Sequence, residues 1–332
     1  MSAAGDDEQV PEGPRLIVAG NASVDLLLGP LTPWPRPGTE VLVEDVTWRV
    51  GGALGNTALA LAGLGVPARL VWDVGDDMLS GWLAAELRSA GDAPRRLPGP
   101  AALTAALNHP DGERTFVSHL GHLALSEADA LAGAIDEAAP GDLLLVGGSF
   151  LLPRWRPALA KLFARARERG VLTLLDTGWP SAGWTNALRE ELSSTLAHVD
   201  VFLPNLDEAR GLLGLPDATP SEVLAGLGQL VAGRTVLKLG AAGAAQREGD
   251  EVRIAPAPEL EVADTVGAGD TFNAALLCAL RDGITWSEAA ALAVEVASSV
   301  VASKPRRYPR WPDVRGRSST ATREFNHIRS GP

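Results

Sequence analysis

Cysteine is almost missing from this sequence: Cys278 stands alone. A single thiol excludes an internal disulfide framework and any zinc site built on several cysteines. Long apolar runs are missing too, with none near the ~18–20 residues of a membrane span. Yet 46% of the 332 side chains are apolar, enough for a full-sized core in one large domain or two ordinary ones. The opening stretch, MSAAGDDEQVPEGP, lacks the basic start and apolar run of a secretory signal. A loose tail over residues 1–14 and a cytoplasmic location are the expectations. Basic charge is scarce, with 29 Lys and Arg against 41 Asp and Glu and a net charge of −12. Such a chain repels phosphate backbones, which argues against nucleic acid as a partner. Lysine is scarcest, confined to Lys161, Lys238 and Lys304, and with the abundant Ala, Gly and Pro this reads as codon bias. No GxxxxGK[ST] occurs, so a P-loop is excluded as well.

What is present is alternation. Short apolar, β-prone runs (Leu16–Gly20, Ala68–Val74, Leu143–Val146, Val171–Asp176, Val201–Leu203, Val236–Leu239) are separated by runs of helical period, such as Asn56–Leu64, Gly81–Arg88, Ala158–Arg169 and Ser221–Val231. This predicts an α/β fold with a mainly parallel sheet covered by helices on both faces. Gly65 and Gly170 suit helix ends. No repeat or linker divides the middle, so one domain is expected. Leu26–Val50 and Ala101–Leu120 break the alternation as extended, turn-rich segments, the second with Asp111-Gly112 as a hairpin signal. They predict a small projecting sheet, a lid. Arg306–Pro332 is rich in Arg, Pro and Ser and is expected to lose order beyond about Val314.

The sharpest local feature is DTVGAGDTF at 264–272, running into the helix-prone NAALLCAL. Glycines before a helix allow a tight turn and aim free amides at one point, where the helix dipole also favours an anion. Asp270 stands beside that point. A carboxylate there can take the proton of an attacking hydroxyl while the amides meet the charge of a phosphoryl group in transfer. From GAGD alone, a helix-capping Asp after a Gly-rich turn explains the pattern equally well. Gly51-Gly52-Ala53-Leu54-Gly55-Asn56 precedes another helix; its glycines permit close backbone approach, and Asn56 suits a ligand hydroxyl or a cap. Ser23 and Asp25 follow the first strand. Asn205-Leu206-Asp207-Glu208 has the spacing of a capping box, which by itself accounts for both end residues.

In this order and separation the pieces resemble the ribokinase-like (PfkB-type) carbohydrate kinases, over roughly residues 15–314. DTVGAGDTF resembles that family's second signature and GGALGNTALALAGLG its first. GNASVD, VGDD at 74–77, DGERTF at 111–116, LPNLDEARGLLG at 203–214 and VLKLGAAG at 236–243 agree as well. The resemblance implies transfer of the ATP γ-phosphate to a sugar or sugar-like hydroxyl under a β lid. It makes Asp270 the base and Gly267, Ala268 and Gly269 the anion hole. It assigns acceptor contacts to Ser23, Asp25, Gly51, Gly52 and Asn56, and nucleotide contacts to Asn205, Lys238, Gly240 and Gly243. Asn205 and Glu208 would organise Mg²⁺ through water. Asp264 lies where some members bind a monovalent cation such as K⁺ through nearby carbonyls. A homodimer through the lid and a second flexible tail over residues 315–332 are expected.

The sequence departs from the resemblance at the acceptor. Ribokinases prefer Asn at Ser23 and Lys at Ala53, and Asp176 opens DTGWPSAGW without the Arg of a D-x-N-x-R segment. A nucleoside kinase, or a non-catalytic sugar- or nucleotide-sensing relative, is the alternative. The remaining candidates read as structural: Cys278 and the tryptophans as packing, His109, His119 and His122 without metal spacing, and Arg306–Arg310 as a solvated edge.

Overall fold

The computed structural model describes residues 13–316, apart from 33, 110–113, 250 and 263. The chain begins with β1 (Leu16–Gly20), β2 (Ser23–Gly29), β3 (Asp45–Gly51), α1 (Ala53–Leu64), β4 (Arg69–Val71), β5 (Asp73–Val74), α2 (Met78–Glu86) and β6 (Arg95–Arg96). It continues through β7 (Leu103–Asn108), β8 (Arg114–His119), α3 (Asp129–Asp136), β9 (Leu143–Gly147), α4 (Arg156–Glu168), β10 (Leu172–Asp176), α5 (Asn186–Leu196), β11 (Val201–Phe202) and α6 (Leu206–Leu213). The last part holds α7 (Pro220–Leu227), β12 (Arg234–Lys238), β13 (Ala244–Glu248), β14 (Glu251–Ala255), α8 (Ala268–Arg281) and α9 (Trp286–Val301).

Eight strands form the main sheet in the order β14-β13-β12-β11-β10-β9-β1-β4. From β4 to β12 every pairing is parallel, and β12–β13 and β13–β14 are antiparallel. The fully buried runs LIVAG and LLLVG of β1 and β9 fit central strands covered on both faces. One face packs residues of α1, α2, α8 and α9, including Leu61, Leu83, Leu276 and Val296. The other packs residues of α3 to α7, including Ile135, Phe163, Leu196, Leu212 and Leu227. The expected strand over Ala68–Val74 is in fact two: β4 joins the main sheet, and β5 pairs with β6 beyond it.

The lid is present as a four-stranded sheet, β3-β2-β7-β8. Its first strand begins at Ser23, so Asp25 lies within the lid rather than in a loop ahead of it. The Asp111-Gly112 turn lies outside the described residues, but the strands flanking it, β7 and β8, pair antiparallel from Leu103↔His119 to Asn108↔Arg114. Trp311 and Val314 are buried core residues. Among the described residues no helix is long and apolar enough to cross a membrane.

Candidate active site

The C-terminal ends of the parallel strands converge with the roots of the lid and the start of α8. The turn before α8 closes with Gly267 as N-cap at φ 74°, a left-handed conformation that suits glycine. Asp270 is therefore the third residue of the helix, and the capping reading of Asp270 fails. Asn56 likewise lies inside α1, whose N-cap is Gly52 at φ 79°; it is not a cap either. A Cβ on Gly52 would come 2.5 Å from Asn21 O. Ala268 N–H is drawn back to Thr265 O at 3.2 Å. That leaves the amides of Gly269 and Asp270 at the helix opening, where no intrahelical acceptor exists for them.

Asp270 is half-buried beside these groups. Burial, followed by the charge of Asp176, raises its carboxyl to about 7, with Lys238 and a hydrogen bond to Asn56 opposing the rise. Asn56 Oδ1 is itself buried without a protein partner. Lys238 Nζ donates to Asp176 Oδ2 at 2.7 Å, with the two side chains 14% and 8% exposed. Asn273 Nδ2 donates to the same oxygen at 2.5 Å. Burial pulls the Lys238 ammonium down, but the charges of Asp176 and Glu208 outweigh it and leave it raised. A Cβ on Gly269 would lie 3.4 Å from Lys238 Nζ, so the ammonium sits against the first turn of α8.

Asn205 and Glu208 form both halves of a capping box on α6: Glu208 N to Asn205 Oδ1 at 2.8 Å, and Asn205 N to Glu208 Oε2 at 2.9 Å. Glu208 is buried, and burial with the nearby Asp176 charge raises it to about 7. At the lid root, Ser23 Oγ donates to Asp25 Oδ1 at 3.3 Å, and Arg49 Nε lies 3.9 Å from Asp25 Oδ2. Burial raises the Asp25 carboxyl, with Arg49 opposing. Gly51 faces Asp25 so closely that a Cβ there would overlap its carboxylate. Asp264 bonds Val266 N, Arg49 and Arg306; burial opposes, but these contacts hold its carboxyl below the usual value.

The two expected nucleotide glycines bound the turn after β12: Gly240 opens it with free space at its Cβ position, and Gly243 closes it at φ 94°, where a Cβ would strike Ala255 O. The histidines do not gather: His122 is buried with Nδ1 accepting from Ala102 N, and His109 stacks on Trp34 at 4.9 Å. Among the described residues no cluster of three or more His, Cys, Asp or Glu could hold a metal. Cys278 is core. Arg306 is not a solvated edge, and sequence reasoning overlooked it along with Asp176, Asn273 and Arg49. Only Asn273 had a local signal, lying three residues after Asp270 on the same helix face. The others meet through strand register and chain return.

Comparison with known proteins agrees with this geometry. Residues 15–312 match the family described as pfkB family carbohydrate kinase. The ribokinase of Arabidopsis thaliana is 28% identical, over 90% of this chain and 79% of its own length. The structure of Arabidopsis thaliana ribokinase complexed with ribose and ATP superposes with a TM-score of 0.75 at 24% identity, covering 91% of this chain and 97% of that one. Phosphofructokinase-2 of Escherichia coli in complex with potassium superposes with a TM-score of 0.72 at 20% identity, over 92% and 97% of the two chains. With both signature segments meeting at one carboxylate, and the family match running over nearly the whole chain, this protein belongs to the pfkB family of carbohydrate kinases and is a sugar or nucleoside kinase.

Proposed function

We propose that the protein transfers the γ-phosphate of ATP to a hydroxyl of a sugar or sugar-like alcohol, with Asp270 as base. The observation that carries this reading is Asp270 in the first turn of α8, beside Asn56 and the Lys238–Asp176 pair, with its carboxyl raised to about 7. A base poised near neutrality can take a hydroxyl proton and exist unprotonated in the same pH range. Asp25 and Asn56 orient the acceptor, with Ser23, Gly51 and Gly52 shaping the backbone around it. Asp270 takes the hydroxyl proton as the acceptor oxygen bonds to phosphorus and the bond to the ADP oxygen breaks. The turn Gly267-Ala268-Gly269 presents the free amides of Gly269 and Asp270, and these with the Lys238 ammonium meet the charge on the phosphoryl group.

Magnesium fits this donor set as an ion carried by the ATP phosphates and water, not as one caged by protein. Asn205 and Glu208 would face its water shell, and Glu208 spends Oε2 on the capping box. When bound, the ion supplies neutralisation of phosphate charge. Nucleotide contacts are assigned to Asn205, Lys238, Gly240 and Gly243.

A second reading, a nucleoside acceptor, is favoured by one observation. Phe116 of the lid and Trp179 after β10, 58% and 55% exposed, line one cleft with Asn205 and Arg210. Exposed aromatic faces from two sides suit a planar base. The lid also carries a face that a second copy would cover. Leu26, Trp48, Ala105 and Val117 align across the four strands, on the face opposite Asp25 and Arg49.

The test is ATP consumption against sugars, sugar acids, polyols and nucleosides, with thermal melts in parallel. The proposal expects turnover with a sugar-like acceptor; nucleosides alone would select the second reading. Stabilisation by ligand without turnover would identify a sensor and contradict both.

A further inference from the structure

Arg306 follows α9 in a stretch of Arg and Pro. Its side chain is 20% exposed and reaches under the turn that leads into α8. Nη2 donates to Asp264 Oδ2 at 3.1 Å and to the main-chain oxygen of Val266. A Cβ on Gly267 would come 3.3 Å from Nη1, so the guanidinium lies directly beneath the N-cap of α8. Arg49 reaches the same carboxylate from the lid, Nη1 to Oδ2 at 2.8 Å, while Oδ1 accepts from Val266 N at 3.0 Å. Carboxylate and carbonyl oxygens are the ligands that hard cations take, and here they are met by guanidinium donors.

The family resemblance places a monovalent cation beside Asp264 and nearby carbonyls, and the phosphofructokinase-2 structure holds potassium. The residues of this chain do not fit such an ion. A cation bound to Asp264 and Val266 O would stand within a few Å of two positive side chains, and at that range like charges repel strongly. Its oxygen ligands are also already engaged. We propose that the Arg306 guanidinium takes the place of the monovalent cation, fixing residues 264–267 from below, so that this kinase works without K⁺ or Na⁺. Arginine stays charged across the working pH range and, being part of the chain, needs no binding equilibrium. Arg306 touches no reacting atom; it is a positioning residue that acts on the α8 amides through Val266 and Gly267. Arg49 ties the same carboxylate to β3, which couples the turn to the lid.

The rate test rests on the kinase reading, but a melting test does not. Wild-type protein and Arg306→Met are compared in potassium chloride, sodium chloride and tetramethylammonium chloride at equal ionic strength. Wild type is expected to hold its kcat within about two-fold and its Tm unchanged across the three salts. Arg306→Met is expected to lose up to about 100-fold in kcat in tetramethylammonium, the scale of a misplacement of about 1 Å at the reacting groups. Potassium then occupies the vacated oxygens, restores part of the rate and raises the variant's Tm, since an ion that binds only the folded state stabilises it. Activation or thermal stabilisation of wild type by potassium overturns the proposal. So does a folded Arg306→Met that ignores potassium in both readouts. If that variant does not fold, the wild-type salt series still decides. A wild type that transfers no phosphate to any acceptor defeats the kinase reading instead, and leaves the melting comparison standing.

Discussion

Four ionisable side chains from four elements crowd the centre of this site: Asp176 from β10, Glu208 from α6, Lys238 from β12 and Asp270 from α8. Desolvation first, and then the charge of Asp176 that one ammonium does not offset, raise Asp270 and Glu208 both to about 7. The sign for stability follows. Each carboxyl holds its proton in the folded state up to about pH 7 and loses it far lower when unfolded. The folded chain therefore binds more protons between about pH 4 and 7, and stability from these groups falls as pH rises through 7. Glu208 also separates two roles. Its capping box is complete, so Glu208→Gln keeps that bond pattern and predicts a Tm near wild type. If its charge also faces hydrated Mg²⁺, the same variant needs more magnesium for half-maximal rate. A magnesium titration beside a thermal melt checks this; an unchanged magnesium curve leaves Glu208 as a cap alone. The residue pattern could not reveal the cluster. Asp176 and Lys238 are 62 positions apart and meet only because β10, β11 and β12 lie side by side.

At the scale of elements, α8 depends on one backbone angle. Gly267→Ala forces alanine into φ 74° and brings its Cβ 3.1 Å from Asn56 Cγ. The strain predicts a loss of about 1–2 kcal/mol in stability, together with a reduced kcat from the displaced turn. Gly283→Ala is the control: φ is 71°, with open space around the Cβ, in the connection after α8. It should lose similar stability by chemical denaturation and keep its kcat. Equal kinetic effects would mean that the α8 opening has no special part. Elements with strong period and punctuation were legible, β1, β9, α4 and the start of α8 among them. The β13–β14 hairpin and α9 were not read. Thr285 and Glu288 have capping-box spacing ahead of α9, and their side chains do meet at 2.8 Å. The lid was legible as a break in alternation, but its register was not, because pairing β2 with β7 joins segments some 80 residues apart.

At the scale of the molecule, the main sheet carries a core on each face and gathers the candidate site at the C-terminal ends of its parallel strands, beside the lid. Val46, Trp48 and Val117 leave the lid 59%, 48% and 59% exposed on one apolar face, more than a solitary small sheet needs. A second copy covering that face predicts a particle of twice 34.5 kDa in sedimentation at micromolar concentration. Trp48→Glu should return it to a monomer; a monomeric wild type removes the dimer and leaves the lid as it is. Family membership was legible because both signatures are contiguous in sequence. The proposed acceptor cleft was legible only in part: Asp25 came with the resemblance, whereas Phe116 and Trp179 lie some 60 residues apart and reach one cleft only through the fold. In the proposed reaction these parts converge on one proton transfer, from the acceptor hydroxyl to Asp270. The direct measurement is kcat for wild type and Asp270→Asn on the same acceptor, with ATP affinity measured separately. The account predicts a loss of about 10²–10⁴ in kcat at nearly unchanged ATP affinity, and a wild-type rate that rises with pH through about 7. An Asp270→Asn enzyme that turns over within a few-fold of wild type would contradict it.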